Sequence, residues 1–393
     1  MSELSGPLAG IRVLSLAEQY PGPYATLILA DLGADVILVE RAKGGDPTRR
    51  FSGHFEGLNR NKRSIVVDLK AAAGREAFIR LAETADVVIE GFRPGVMERI
   101  GLGEKFLRQR FPALVYASIS SFGQTGPLRS RAGHDIAVQG MAGFVSPGEN
   151  AAPAPLPLAD ISSAMFAVIG IVSALFERHS TAHGRYIDIG MLDALVSWQT
   201  PSLVSALNDL DPAPYPPGDP GYGVVAVGPD RVQYTLSIAG EDHHWRVLCH
   251  AIGLHDLADL STEAREQDRR AVIAQLTAAL AKCDASALEQ SLESQGVSLA
   301  QVLIGTDVAR SEQMVARGMV VEVDGHPGVE VIRQPILFDG KANAVTRRAP
   351  GLGQHTREVL DEAGFTREEI EELVASTEPE GVSPYESASL GIH

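Results

Sequence analysis

Short runs of aliphatic and β-branched residues recur through the first 120 positions, each closed by glycine, proline or charge. Residues 11–16, between Gly10 and the polar pair Glu18-Gln19, read as a buried strand. Pro21-Gly22-Pro23 interrupts the run, residues 24–32 continue with helical periodicity, and Gly33 stops them. The same pattern predicts strands over 35–40, 64–69, 86–90 and 114–119, with helices over 71–84 and 96–100 between them. Strand–helix alternation with β-branched runs implies parallel pairing, hence a doubly wound, mostly parallel, Rossmann-like α/β layer.

The period changes beyond residue 210. Residues 211–223 are rich in proline and glycine and read as a linker. Two short strands follow over 224–238 about a Gly228-Pro229-Asp230 turn, then helical stretches near 245–252, 264–281 and 286–295. This is expected to form a smaller α+β domain over 224–335. The large domain would take 1–210 plus 336–393, with terminal helices within 352–375. A chain of 393 residues suits two such cores. The apolar stretch 164–176, flanked by Asp160 and Glu177-Arg178, is shorter than a bilayer demands and reads as a buried core helix, with no membrane role. The first residues lack a signal peptide's pattern, and two cysteines, Cys249 and Cys283, form no disulfide framework or metal cluster. A cytoplasmic protein is expected.

The formal charge of −16 argues against nucleic acid as a partner. It is unevenly spread. Between Arg41 and Arg63 stand seven basic residues against two acids, while acids crowd Glu368-Glu369-Ile370-Glu371-Glu372. Ligands of open α/β sheets bind beyond the carboxyl ends of strands, where Arg41 and Lys70 would stand as phosphate contacts. Arg99 follows the turn Gly91-Phe92-Arg93-Pro94-Gly95. Neither G-x-G-x-x-G, nor a phosphate-binding P-loop, nor G-x-S-x-G occurs, which removes the usual nicotinamide, NTPase and serine-hydrolase readings.

Two residues offer chemistry. Asp160 stands where an apolar helix begins, so unpaired amides and the helix dipole would hold it ionised. It reads either as an ordinary helix cap or as a carboxylate nucleophile. His134, in Gly133-His134-Asp135, has a pKa suited to proton transfer, with Gln139 about one turn later on the same helix face.

Together these segments resemble the family III CoA-transferases, a group that includes formyl-CoA, carnitine and bile-acid CoA-transferases. The resemblance covers nearly the whole chain. It rests on Pro21-Gly22-Pro23-Tyr24-Ala25, Leu29-Ala30-Asp31-Leu32-Gly33-Ala34-Asp35-Val36, Val39-Glu40-Arg41 with Gly44-Gly45-Asp46-Pro47, and Asn61-Lys62-Arg63-Ser64. Asp68-Leu69-Lys70, Phe92-Arg93-Pro94-Gly95 with Arg99, Ser121-Phe122-Gly123 with Gly126-Pro127, Asp160, and Gly184-Arg185-Tyr186-Ile187-Asp188 complete it. It implies that Asp160 attacks an acyl-CoA thioester and passes through a mixed anhydride and an aspartyl-CoA thioester, after which an acceptor carboxylate collects the CoA. It further implies that Arg41, Lys70 and Arg99 hold CoA's phosphates and adenine end, that Val67 and Phe92 line the adenine pocket, and that the protein is an interlocked homodimer. Tyr20, where family transferases often carry Gln, and Gln139 are further expected CoA contacts. CoA or acyl-CoA enters as substrate, with no tightly bound cofactor and no metal.

The same family contains α-methylacyl-CoA racemases, in which a His and an Asp move a proton at the substrate's α-carbon. His134 with Asp160 fits that pattern. Against it, Asp135 is followed by Ile136-Ala137-Val138-Gln139-Gly140, where racemases tend to carry Asn and Tyr. A third reading is a non-catalytic acyl-CoA-binding subunit, which would need no buried carboxylate.

Overall fold

The computed structural model describes residues 5–145, 148, 152–211 and 218–376. The chain divides into two compact units, residues 200–314 and the remainder on either side.

The first unit is built on β1 (Arg12–Ser15), α1 (Pro21–Asp31), β2 (Asp35–Glu40), α2 (Ser52–Asn59), β3 (Arg63–Val66), α3 (Ala72–Glu83) and β4 (Val87–Glu90). It continues with α4 (Val96–Arg99), α5 (Glu104–Arg110), β5 (Val115–Ser120), α6 (Asp135–Met141), α7 (Leu158–Thr181), β6 (Tyr186–Gly190) and α8 (Met191–Ser197). Strands β1 to β6 form one parallel sheet in the order β3-β2-β1-β4-β5-β6. Neighbouring side chains on a strand point to opposite faces, so Val13 and Val87 join one core while Leu14 and Val88 join the other. The first core is closed by α1 and α7, through Leu29, Ala167 and Ile171. The second is closed by α3 and by the C-terminal helices Thr356–Glu362 and Arg367–Ala375, through Phe78, Leu81, Val359 and Ile370. An antiparallel hairpin, Val320–Val323 with His326–Ile332, also belongs to this unit.

The predicted strands all form, 35–40 with the expected bounds and the others within three residues at their ends. The helix expected from residue 24 starts at Pro21, because proline at a first helical position loses no hydrogen bond and brings its φ already set. Gly22 permits that start. A Cβ there would lie 2.0 Å from the Ala17 Cβ. Behind α1, fully buried Lys62 donates to the Pro23 carbonyl, the Thr26 hydroxyl and Asn59 Oδ1 at 2.8–2.9 Å, matching its three N–H groups to three acceptors.

The apolar run after Asp160 forms a 24-residue helix, long and apolar enough to cross a membrane by length and composition. The expectation of a core helix is met on one face only. Ala159, Ser163, Ala167 and Ile171 are buried, whereas Met165, Ile169, Val172 and Phe176 are exposed, Phe176 by 80%. They recur at helical spacing and make an uncovered apolar stripe.

The second unit has an antiparallel sheet of Tyr222–Val227, Val232–Ser237 and Leu299–Gln301, covered by helices that include Asp242–Ala251, Arg269–Leu280 and Ala285–Glu293. Trp245, Leu248, Leu276 and Leu292 fill its core. The helix expected over 264–281 is two, Thr262–Gln267 and Arg269–Leu280, parted at Asp268. Positions 212–217 of the expected linker and 377–393 of the expected large domain lie outside the described residues.

Candidate active site

The strand order reverses between β1 and β4: the chain runs outward through β2 and β3 on one side and through β5 and β6 on the other. A crevice opens at such a switch point, beyond the carboxyl ends of the strands. Here it is a cavity of about 800 Å³. The segment after β1 (Glu18 to Gly22) forms one wall, the turn after β4 (Gly91 to Pro94) another, and Ser120 to Phe122 after β5 a third. Asp160, His134, Asp135, Tyr20 and Phe92 all line it.

Asp160 is the third residue of α7, not its cap. The helix's first amides are already occupied. Leu158 N–H donates to the Leu156 carbonyl, Ala159 N–H to Asp135 Oδ1 at 2.7 Å, Asp160 N–H to the same oxygen at 3.4 Å, and Ile161 N–H to the Pro157 carbonyl. Asp135, at the start of α6, thus caps α7 from outside it. The Asp160 carboxylate accepts no hydrogen bond among the described residues. Burial first, and the Asp135 charge second, push its pKa up to about 7. The expectation that the helix start holds Asp160 firmly ionised is therefore corrected, because the amides that would do so serve Asp135.

Gln139, one turn along α6, is fully buried. Its Nε2 donates to Asp135 Oδ2 at 2.5 Å and to the Leu156 carbonyl at 3.1 Å, and its Oε1 accepts the Ala154 amide at 2.9 Å. It does not line the cavity. Both polar atoms of its side chain are engaged in holding Asp135 and the approach to α7, so its expected contact with CoA does not lie on this cavity wall. His134 is exposed at the first turn of α6. Its segment is anchored to β5 by Ser121 Oγ, which donates to the Gly133 carbonyl at 2.8 Å.

Tyr20 stands beside His54, rings 5.5 Å apart and edge-on, and beside Tyr24. Burial, with lesser contributions from Tyr24 and Asp160, raises its pKa. The residue before it, Gln19, holds a left-handed φ of 71°, a strained turn secured by its N–H to Asp46 Oδ2 at 3.0 Å. Glu90, buried at the end of β4, accepts the Phe92 amide at 2.8 Å and fixes the facing turn; burial lifts its pKa to about 7.

The remaining expected contacts follow the same sheet edge without lining the cavity. Arg41 follows β2 and donates to the Gly45 carbonyl at 2.9 Å. Val67 and Lys70 follow β3, Val67 buried in the core and Lys70 exposed, and Arg99 ends α4 beyond β4. Sequence reasoning did not single out Arg129 and Arg131, which line the cavity from an irregular segment, and took Arg50, at the end of the short 3-10 helix Pro47–Arg50, only as one of seven basic residues. Among the described residues no cluster of three or more His, Cys, Asp or Glu side chains suits a metal.

The model of CoA-transferase family III matches residues 8–356. A succinate–glutarate CoA-transferase of Agrobacterium fabrum is 33% identical, over 91% of this chain and 95% of that protein. A succinyl-CoA:mesaconate CoA-transferase of Haloarcula marismortui is also 33% identical, over 91% and 97%. Among solved structures, a CAIB/BAIF family protein from Brucella suis superposes with a TM-score of 0.81 at 31% identity, covering 91% of this chain and 99% of that one. Rv3272 from Mycobacterium tuberculosis does so with a TM-score of 0.80 at 32% identity, covering 91% and 100%. With the family model spanning most of the chain and such relatives along nearly its full length, the chain belongs to CoA-transferase family III and is an enzyme of the CoA-transferase class.

Proposed function

We propose that this enzyme moves CoA from an acyl-CoA to a free carboxylic acid, with Asp160 as the covalent nucleophile. The supporting observation is a half-buried carboxylate on the cavity wall with no hydrogen bond of its own, which leaves its oxygen lone pairs free. An Asp160 oxygen attacks the thioester carbonyl; the C–S bond breaks, CoA thiolate leaves and a mixed anhydride remains. The thiolate then attacks the Asp160 carbonyl carbon, releasing the donor's carboxylate and leaving an aspartyl-CoA thioester. The acceptor carboxylate attacks that thioester, and the returning thiolate cleaves the second anhydride at the acceptor's carbonyl. Asp160 is regenerated. A pKa near 7 suits both halves, since the carboxylate is a stronger nucleophile than an ordinary Asp and still ionises at neutral pH.

CoA lies along the carboxyl edge in this reading. Arg41, Lys70 and Arg99 meet its phosphates, Phe92 and the backbone near Val67 meet the adenine, and Tyr20 borders the reacting end. The uncovered stripe on α7 supports an interlocked homodimer, with a second copy burying Ile169 and Phe176. The relatives named for succinate, glutarate and mesaconate make dicarboxylic acids the first substrates to try.

One observation favours the racemase alternative: His134 and Asp160 line the same cavity. The two readings part in one experiment. Mass-resolved exchange of CoA between acyl-CoA donors and free acids is expected, abolished by Asp160→Ala with CoA affinity retained. Solvent deuterium entering the α-carbon of a 2-methylacyl-CoA, without CoA exchange, would replace this reading with the other.

A further inference from the structure

Resting on that transferase reading, we infer that Arg129 and Arg131, with Arg50, form a subsite for a second carboxylate on the acid that accepts CoA, so that the enzyme selects dicarboxylic over monocarboxylic acids. All three line the cavity that holds Asp160. Elsewhere in the unit, Arg49, Arg60 and Arg63 are neutralised by Glu40, Asp31 and Asp35. The side chains of Arg129 and Arg131 have no such partner among the described residues, and Arg50 has only the Phe51 ring beneath its guanidinium, 4.7 Å to the centroid. Arg93 lines the cavity too and has no acid partner among the described residues, so four guanidinium groups face three acids, Glu18, Asp135 and Asp160, in one cleft of a chain with net charge −16, a local field that calls for an anion.

Two anions are available, the phosphates of CoA and a carboxylate of the acid. The residues assigned to the phosphates, Arg41, Lys70 and Arg99, follow the sheet edge and do not line this cavity. Arg129 and Arg131 instead lie on the segment that leads, within five residues, into His134, and that segment is pinned over the end of β5 by the Ser121–Gly133 hydrogen bond. They border the same cavity as His134 and Asp160. A guanidinium fork matches a carboxylate in a paired, planar geometry, which makes it a selector for charge at the far end of a short acid.

The test compares two acceptors of equal carbon number, glutarate and pentanoate, with one common donor thioester, in the full-length protein and in its Arg129→Gln/Arg131→Gln variant. Wild type is expected to favour glutarate in kcat/KM, and the variant is expected to lower the glutarate-to-pentanoate ratio at least tenfold; Arg50→Gln should move the ratio the same way. Pentanoate turnover reports on folding within the same assay. An unaltered ratio, with both rates reduced together, would assign these arginines to CoA or to the fold and overturn the subsite. A wild type indifferent to the second carboxylate would overturn it while leaving the transferase reading intact. Absence of CoA transfer to either acid, with CoA still bound, would overturn the transferase reading and the subsite with it.

Discussion

Asp135 Oδ1 accepts the backbone amide of Asp160, and its charge helps to hold the Asp160 side chain partly protonated at neutral pH. One carboxylate thus caps the helix that carries the other. Asp135 takes the amides that would have stabilised Asp160's charge, and adds a like charge nearby.

In the proposed mechanism the rate of acyl-enzyme formation should therefore rise with pH through about 7, as the Asp160 carboxyl ionises. Asp135→Asn keeps an oxygen for the Ala159 amide but removes the negative charge, so the midpoint should move down while remaining above the ordinary Asp value, because burial persists. A pH–rate profile of the donor half-reaction measures both. A midpoint unmoved by the substitution would show that Asp135 exerts no electrostatic control.

Stability carries the same signature. The folded protein keeps a proton on Asp160 up to about 7, whereas the unfolded chain releases it near 3.8. The stability this contributes is fully present below the unfolded value and is lost as pH rises through about 7, at roughly 1.4 kcal/mol for each pH unit between the two values. Asp160→Asn should flatten that dependence and stabilise the protein at pH 8 by about 1–4 kcal/mol, seen in denaturant melts at pH 5 and pH 8. An unchanged slope would mean that Asp160 titrates normally.

Much of this was legible in the sequence. The β-branched runs of β1 to β5 have period and punctuation that leave little choice of element, and their alternation with helices fixes a parallel sheet. Asp160 was legible as a carboxylate at a helix start. Its hydrogen-bond environment was not, because Asp135 and Asp160 lie 25 residues apart and meet only once α6 and α7 pack. Gln139 shows the same limit: spacing placed it near the site, while only the packed structure reveals that its amide is buried and fully engaged. Arg50 ends a short 3-10 helix and Arg129 and Arg131 lie in an irregular segment, and nothing in the order of residues tells a paired arginine from an unpaired one there.

Gln139→Leu separates a structural latch from a CoA contact. It strands the Ala154 amide, the Leu156 carbonyl and one Asp135 oxygen, each of which costs about 1–3 kcal/mol when left buried and unpaired. Stability should fall by about 2 kcal/mol or more and kcat should drop, with CoA affinity nearly unaffected. Lost CoA affinity at undiminished stability would restore the ligand contact.

His134→Ala discriminates between the two chemistries of the family. His134 is exposed at the start of α6 and borders the cavity. CoA transfer should fall only in part, about tenfold or less, since no step requires its proton. Loss beyond about a thousandfold would indicate that the imidazole carries an obligatory proton.

The most direct measurement is capture of the covalent enzyme. Incubation with an acyl-CoA donor, a hydroxylamine quench and peptide mass spectrometry should convert the Asp160 carboxyl to its hydroxamate, with no such product in Asp160→Asn. An unmodified Asp160 peptide under conditions where CoA exchange proceeds would contradict nucleophilic attack by this residue.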